Sequence, residues 1–584
     1  MGGCSRAWAV IAAAVLVVLF AGCGRAANRR PSLSPPPSRW VFMRANFQAD
    51  ETAADSIRAI ERFADEGYTG VVVGDYKFIR LDQVPPNTHT NLAAFRAACS
   101  RRGLTVIASV VPIGYSNAIL SRDPNLAEGL PVREAEFVVR GGQALPRGAE
   151  PGQPPLLDNG GFERHSGHSP AGWSFVDQPG RVTFIDTEVK AEGAASLRME
   201  NIDRYEPEHR HARACAKLKV RPFRHYHVSA LVRTRGWTGG DTRITAMGSG
   251  DRVLNFAWPA IGADEDWRRV DVTFNSLDNE TVNLYVGTWD GRGGTIWWDD
   301  VRVEEAGLLN LIRRDGAPFR LTSADGRDVY VGGRDYEPPV DPKMGNDPYA
   351  GEYSVWHDPP PLLIPAGSRI RDGQSVLASY AHAMPVGDGQ VMCCMREPEL
   401  YRILQRQIEQ VRDRLQPDGY LMNHDEIRVQ GWDASCEASG LTPAESLADN
   451  VSRCADIIRR ADPGKRICVW SDMFDPHHNA RAGGYYYLVR GRGAWSGSWR
   501  GLSPDVTVVN WQFNPRTRMD TLRHFAGLGC RQILAGFYDG DPAFVADWLR
   551  DADGVPGVDG VMYTTWRNDY TQTAAFIRAA SAGR

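Results

Sequence analysis

From residue 40 the chain alternates near-continuous apolar runs with amphipathic stretches, and the two periods predict strands and helices in turn. WVFMRANF (40–47), GVVVGDY (70–76) and LTVIASVVP (104–112) read as buried strands. SIRAIERFADEG (56–67) and NLAAFRAACSRRG (91–103) read as helices closed by glycine. The alternation then stops and resumes with a long helix at 398–416, followed by the strand DGYLMNHDE (418–426). Helix 445–461, strands 466–474 and 506–513, helix 518–529, strand 532–539, helix 542–552, strand 558–566 and helix 570–580 complete the chain. Three strands before the gap and five after it predict an α/β fold. The expectation is a (β/α)8 TIM barrel interrupted after strand three by an inserted all-β region. A doubly wound open sheet is the alternative.

The interruption has the short alternating runs of a β-sandwich, among them HYHVSALVRT (225–234), RRVDVTFNS (268–276) and TVNLYVGTW (281–289). It opens with Asn159-Gly160-Gly161-Phe162-Glu163 and closes with Trp297-Trp298-Asp299-Asp300-Val301. This segment resembles the jelly-roll carbohydrate-binding modules of polysaccharide-degrading enzymes. The resemblance implies a structural calcium between the opening and closing strands, with Glu163 and Asp300 as candidate ligands. Trp237, Trp258 and Trp289 are either a sugar-stacking platform or core. The predicted layout is a barrel first part at 39–150, a sandwich module at 151–307, a further β region at 308–390, and the barrel's second part at 391–584.

Arg6 and the apolar run to Gly22 precede Cys23 in a pattern that resembles a bacterial lipoprotein signal over 1–23, with Cys23 as the lipidated residue. The proline-rich stretch at 24–38 then reads as a stiff tether. A membrane-tethered extracytoplasmic protein is the expected localisation. A net charge of −4 gives no electrostatic support for nucleic-acid or membrane-surface binding. The ten cysteines show no Cys-x-x-Cys or Cys/His metal spacing.

The chemistry gathers at the predicted carboxyl ends of the strands. These carry Arg44, Asp75, His424-Asp425-Glu426, Trp470 with Asp472, Trp511, Tyr538-Asp539, and Trp566. Aromatic walls suit sugar faces, hydrogen-bonding groups suit hydroxyls, and paired acids suit glycosidic cleavage. The set resembles glycoside hydrolase family 20, the β-N-acetylhexosaminidases, in which an Asp-Glu pair ends strand four. That resemblance implies Glu426 as general acid/base and Asp425 as the group that orients the substrate's 2-acetamido arm. It also implies Arg44, Trp470, Trp511 and Trp566 around the sugar, Asp539 on an outer hydroxyl and Tyr538 on the acetamido oxygen. Asp75, His424 and Asp472 complete the expected substrate-binding set. The chain departs from the family pattern at Leu421, Asn423, the Pro112–Tyr115 turn, Phe537 and Asn568. No catalytic cofactor is expected, and the expected partner is a glycan or oligosaccharide. Two alternatives stand beside this reading: a retaining glycosidase with Asp539 as nucleophile, and a non-catalytic glycan-binding lipoprotein.

Overall fold

The computed structural model describes residues 38–149, 155–387 and 389–582. Cys23, the leader around it and the tether up to residue 37 lie outside the described residues.

Eight strands, all parallel, close on themselves: β1 (Ser38–Arg44), β2 (Gly70–Gly74), β3 (Thr105–Pro112), β4 (Gly419–Asn423), β5 (Arg466–Trp470), β6 (Val506–Asn510), β7 (Gln532–Phe537) and β8 (Val558–Thr564). The ring is sealed where β1 pairs with β8, from Ser38 opposite Gly560 to Val41 opposite Tyr563. A closed ring rules out the open doubly wound sheet. Its lumen is filled by residues from every strand, among them Trp40, Val72, Ile107, Leu421, Trp470, Val509, Ile533 and Met562. Both faces of each strand are buried, which is why the strands read as unbroken apolar runs.

The (β/α)8 TIM-barrel expectation needs correction. Seven helices follow strands around the ring: α1 (Asp50–Asp65), α2 (Pro86–Arg101), α3 (Pro398–Leu415), α4 (Pro443–Ala461), α5 (Arg518–Gly527), α6 (Phe544–Asp551) and α7 (Thr573–Ala582). The connection from β5 to β6 holds only 3-10 turns at Asp472–Phe474 and Ser498–Gly501 and a two-residue strand, Leu488–Val489. The physical reason is in its sequence. Gly483, Gly484, Gly491, Gly493 and Gly497 all take positive φ there, which an α-helix cannot contain. The molecule is therefore a closed eight-stranded parallel barrel with attached antiparallel sheets and an incomplete helical layer.

The segment between β3 and α3 forms two five-stranded antiparallel sheets and a further six-stranded one. The six-stranded sheet draws Leu130–Arg140 and Gln143–Pro146 from before the sandwich and Arg320–Ser323 and Ser375–His382 from after it. One sandwich strand, Val253–Ala257, abuts the barrel mouth. Just ahead of it, buried Arg252 donates to the carbonyls of Tyr487 (2.9 Å) and Val489 (3.0 Å), tying the helix-free connection to the insertion. Among the described residues no helix is long and apolar enough to cross a membrane, and all eight described cysteines are buried and free.

Candidate active site at the barrel mouth

Strand β4 delivers its last residues to alternate sides. Leu421 and Asn423 face the lumen. The Asn423 amide donates to Ser109 Oγ (2.9 Å) and Val110 O (2.9 Å), and its Oδ1 accepts from Trp470 Nε1 (3.0 Å). His424 points the other way into the helical layer, where its Nε2 pairs with Asn450 Oδ1 at 2.9 Å. Burial lowers the His424 pKa to about 4, so the ring is neutral and lies outside the mouth.

Asp425 returns to the lumen side, and the strand then breaks. Glu426 adopts a left-handed φ of 49°, which brings it into the mouth directly after Asp425 instead of onto the opposite face. This turn is covered by the one after β3. The Ile113 and Gly114 amides donate to Asn423 O, and a Cβ on Gly114 would lie 1.6 Å from the Asp425 carbonyl oxygen. Only glycine permits that approach, and it carries Tyr115 over the acids.

The two carboxyl groups live in different surroundings. Glu426 Oε2 accepts from the Tyr115 hydroxyl at 2.5 Å and pairs with the Arg428 guanidinium at 3.1 Å. Asp425 Oδ1 is buried and accepts no hydrogen bond. Burial first, then the charges of Asp472 and Glu426, hold the Asp425 pKa well above the usual carboxylate range. Asp472, wholly buried, is pushed up to about 7, chiefly by burial. It accepts from the Glu426 amide (2.9 Å), Asn479 Nδ2 (2.8 Å) and Trp511 Nε1 (3.2 Å), and so pins the acid-bearing turn to the aromatic wall.

That wall is continuous. Tyr538 stacks on Trp511 (centroids 5.8 Å, 11° between planes) and meets Trp566 edge-on at 5.8 Å. Trp470, only 1% exposed, sits beneath as a floor 6.2 Å from Trp566, which is 39% exposed at the rim. Phe537, Tyr538 and Asp539 take φ of 75°, 49° and 59°, three left-handed non-glycine residues in succession. Such a run costs conformational energy and is characteristic of functional sites. The charges of Asp425, Asp472 and Glu426 all bear on the Tyr538 hydroxyl, whose pKa burial already raises.

The remaining expected residues divide. Arg44 is exposed at the end of β1, in phase with lumen-facing Trp40 and Phe42. Asp75 does not reach the mouth: it is buried, accepts from the Phe47 and Lys77 amides and pairs with Lys77 Nζ at 2.9 Å. Asp539 is engaged through both oxygens, by Thr565 Oγ1 (2.5 Å) and the Trp566 amide (3.0 Å), and so shapes the turn that presents Trp566. In the sandwich, Glu163 accepts from the Ala194 amide, while Asp300 is paired with Arg302 at 2.7 Å. Buried Asp299 and Glu163 both flank Gly161, where an added Cβ would lie 3.5 Å from Glu163 Oε1 and 3.9 Å from Asp299 Oδ1. Trp237 is buried, whereas Trp258 is exposed against Phe256.

Tyr115, Arg428, Asn479 and Tyr486 were not singled out from sequence as site residues. Arg428 was legible as part of the polar burst after β4. Tyr486 stood in the Tyr485–Tyr487 run, whose aromatic character suits packing equally well. Burial raises its pKa, and the charges of Glu426, Arg428 and Asp472 reach it, so it borders the acids.

No family model matches this chain, and no curated protein does. Solved structures give weak likenesses. One is a family 16 carbohydrate-binding module, 15% identical over 25% of this chain and 98% of that chain, with a TM-score of 0.20. Another is a xylan-binding domain from Paenibacillus barcinonensis, 14% identical over 25% of this chain and 90% of that one, with a TM-score of 0.19. A rhamnosidase from a Novosphingobium species is 14% identical over 95% of this chain and 59% of that one, with a TM-score of 0.30. The functional reading therefore rests on the geometry of the mouth.

Proposed function

We propose that the chain is a glycoside hydrolase that cleaves β-linked N-acetylhexosamine residues at the mouth of the parallel barrel. The observation that carries this reading is the pairing of Asp425 and Glu426 in one aromatic bowl with opposite electrostatic settings. Burial and the neighbouring charges of Asp472 and Glu426 raise the Asp425 pKa well above the usual carboxylate range, the direction a general acid needs. Glu426 is gripped by the Arg428 guanidinium and the Tyr115 hydroxyl.

The family resemblance would give proton donation to Glu426. The surroundings favour the reverse assignment. Asp425 passes its proton to the glycosidic oxygen, and the departing bond's electrons stay with that oxygen. The substrate's acetamido oxygen attacks the anomeric carbon, and the Glu426 carboxylate balances the positive charge that develops. Water then opens the cyclic intermediate while Asp425 takes up a proton. Asp539, engaged by Thr565 and Trp566, is poorly placed to act as a nucleophile from across the mouth. This favours participation by the substrate over the two-carboxylate alternative. The Cys23 leader supports placing the activity on the outer side of a membrane, on a lipid tether.

The test is a panel of aryl β-glycosides of N-acetylglucosamine, N-acetylgalactosamine and glucose given to the full chain. Cleavage confined to the acetamido sugars is expected. Equal cleavage of the glucoside would move the reading to an enzyme nucleophile. Tight glycan binding without cleavage, unaltered by Glu426→Gln, would make the protein a binder.

A further inference from the structure

Behind the mouth, three segments far apart in sequence meet in a buried cluster that the glycosidic reading does not use. Glu128 lies where the chain enters the insertion, Cys394 where it leaves, and Asp433 caps the short helix Ala434–Ser439, which carries Cys436 and follows the segment from Glu426 and Arg428. One ligand atom from each lies within 4.8 Å of all the others, and all four residues are buried.

Three of the six separations match the edges of a tetrahedron, and the other three lie within 4.8 Å. The two thiols are 3.7 Å apart, Cys436 Sγ is 3.4 Å from each Glu128 oxygen, and Cys394 Sγ is 3.6 Å from Asp433 Oδ1. Around zinc, with sulfur at ~2.3 Å and oxygen at ~2.0 Å, tetrahedral edges are about 3.8 Å between sulfurs and about 3.5 Å between sulfur and oxygen.

Three of the four side chains, Glu128, Asp433 and Cys436, are also oriented from outside. The Gly431 and Trp432 amides donate to Glu128 Oε1 at 2.8 and 3.1 Å, and Gln430 Nε2 donates to Cys436 Sγ at 3.2 Å. Asp433 accepts from Arg314 Nη2 at 2.6 Å and from the Cys436 amide at 2.9 Å. Such outer partners are what hold metal ligands in place. The Gln430 Oε1, fully buried beside the cluster, has no hydrogen-bond partner.

We propose that Glu128, Cys394, Asp433 and Cys436 bind a zinc-class divalent ion. The ion clamps both ends of the insertion to the loop that carries Arg428. The short strand Val429–Gln430 pairs with Leu488–Val489, so the clamp fixes the segments that present Arg428 and Tyr486 to the acids. The role is structural and does not depend on the reaction proposed above.

The experiment is elemental analysis of the full chain after incubation with zinc and removal of free metal, with the cobalt-substituted protein examined by absorption. Expected are about one zinc per chain, and cobalt bands of thiolate charge transfer and tetrahedral coordination. Cys394→Ser with Cys436→Ser should abolish both, and Gln430→Ala should weaken zinc binding by about 10- to 100-fold. A folded wild-type chain without zinc and without the cobalt bands would overturn the proposal. So would peptide mapping that finds Cys394 and Cys436 joined as a disulfide.

Discussion

The Tyr115 hydroxyl donates to Glu426 Oε2 at 2.5 Å, across 311 residues of sequence. A turn that precedes the whole insertion thus grips an acid that follows it. The Arg428 guanidinium holds the same oxygen from the other side at 3.1 Å. Removing the hydroxyl should leave the fold intact and the Glu426 carboxyl group less well aimed. A hydrogen bond to a charged group contributes about 1.5–3 kcal/mol, so Tyr115→Phe should lower kcat/KM by roughly 10- to 100-fold. Steady-state kinetics beside an unchanged melting curve would check this.

Gly114 is where those two turns touch. A Cβ there would sit 1.6 Å from the Asp425 carbonyl oxygen, and the obstacle is backbone. Gly114→Ala should cost about 1–3 kcal/mol or more through overpacking and should displace both acids. A lowered Tm together with loss of activity is the expected outcome.

Trp566, at 39% exposed, is the most exposed tryptophan of the wall. Its Ala variant should raise KM by about 2- to 10-fold, the range of an aromatic contact, with a smaller change in kcat. Titration of wild type and Trp566→Ala with substrate would show it.

The buried acids make stability depend on pH with a definite sign. The Asp472 pKa is raised to about 7 in the folded chain, against about 3.9 for an unfolded aspartate. Between those values the native state holds a proton that the unfolded chain has lost. Stability should therefore fall as pH rises through that window and level off above it. Asp472→Asn removes the titration, so the Tm of wild type should drop more steeply from pH 5 to pH 8 than that of the variant. Thermal melts across that range would measure the difference.

How much of this was legible follows from how local each signal is. DGYLMNHDEIR announces itself, because an apolar run that turns abruptly to adjacent acids marks a strand ending at a solvated edge. The eight strands were likewise readable, since each is a short buried run. Asp75 was placed wrongly because GVVVG is apolar on both faces, so the run does not tell which side the next residue takes. His424 shows the opposite case, where strand alternation carries it into the helical layer. Tyr115 and Tyr486 were hidden because their positions depend on packing with the insertion and the helix-free connection. The metal-type cluster escaped for the same reason: Glu128, Cys394 and Asp433 come together only after the insertion folds back on itself.

In the proposed reaction Asp425 gives the proton and Glu426 faces the positive charge that develops on the same sugar ring. The most direct test compares Asp425→Asn and Glu426→Gln on aryl β-N-acetylglucosaminides that differ in leaving-group acidity. Asp425→Asn should lose little on the most acidic leaving groups and much on the least acidic, while Glu426→Gln should lose activity evenly across the series. The reverse pattern would return proton donation to Glu426, and no loss in either variant would remove both acids from the reaction.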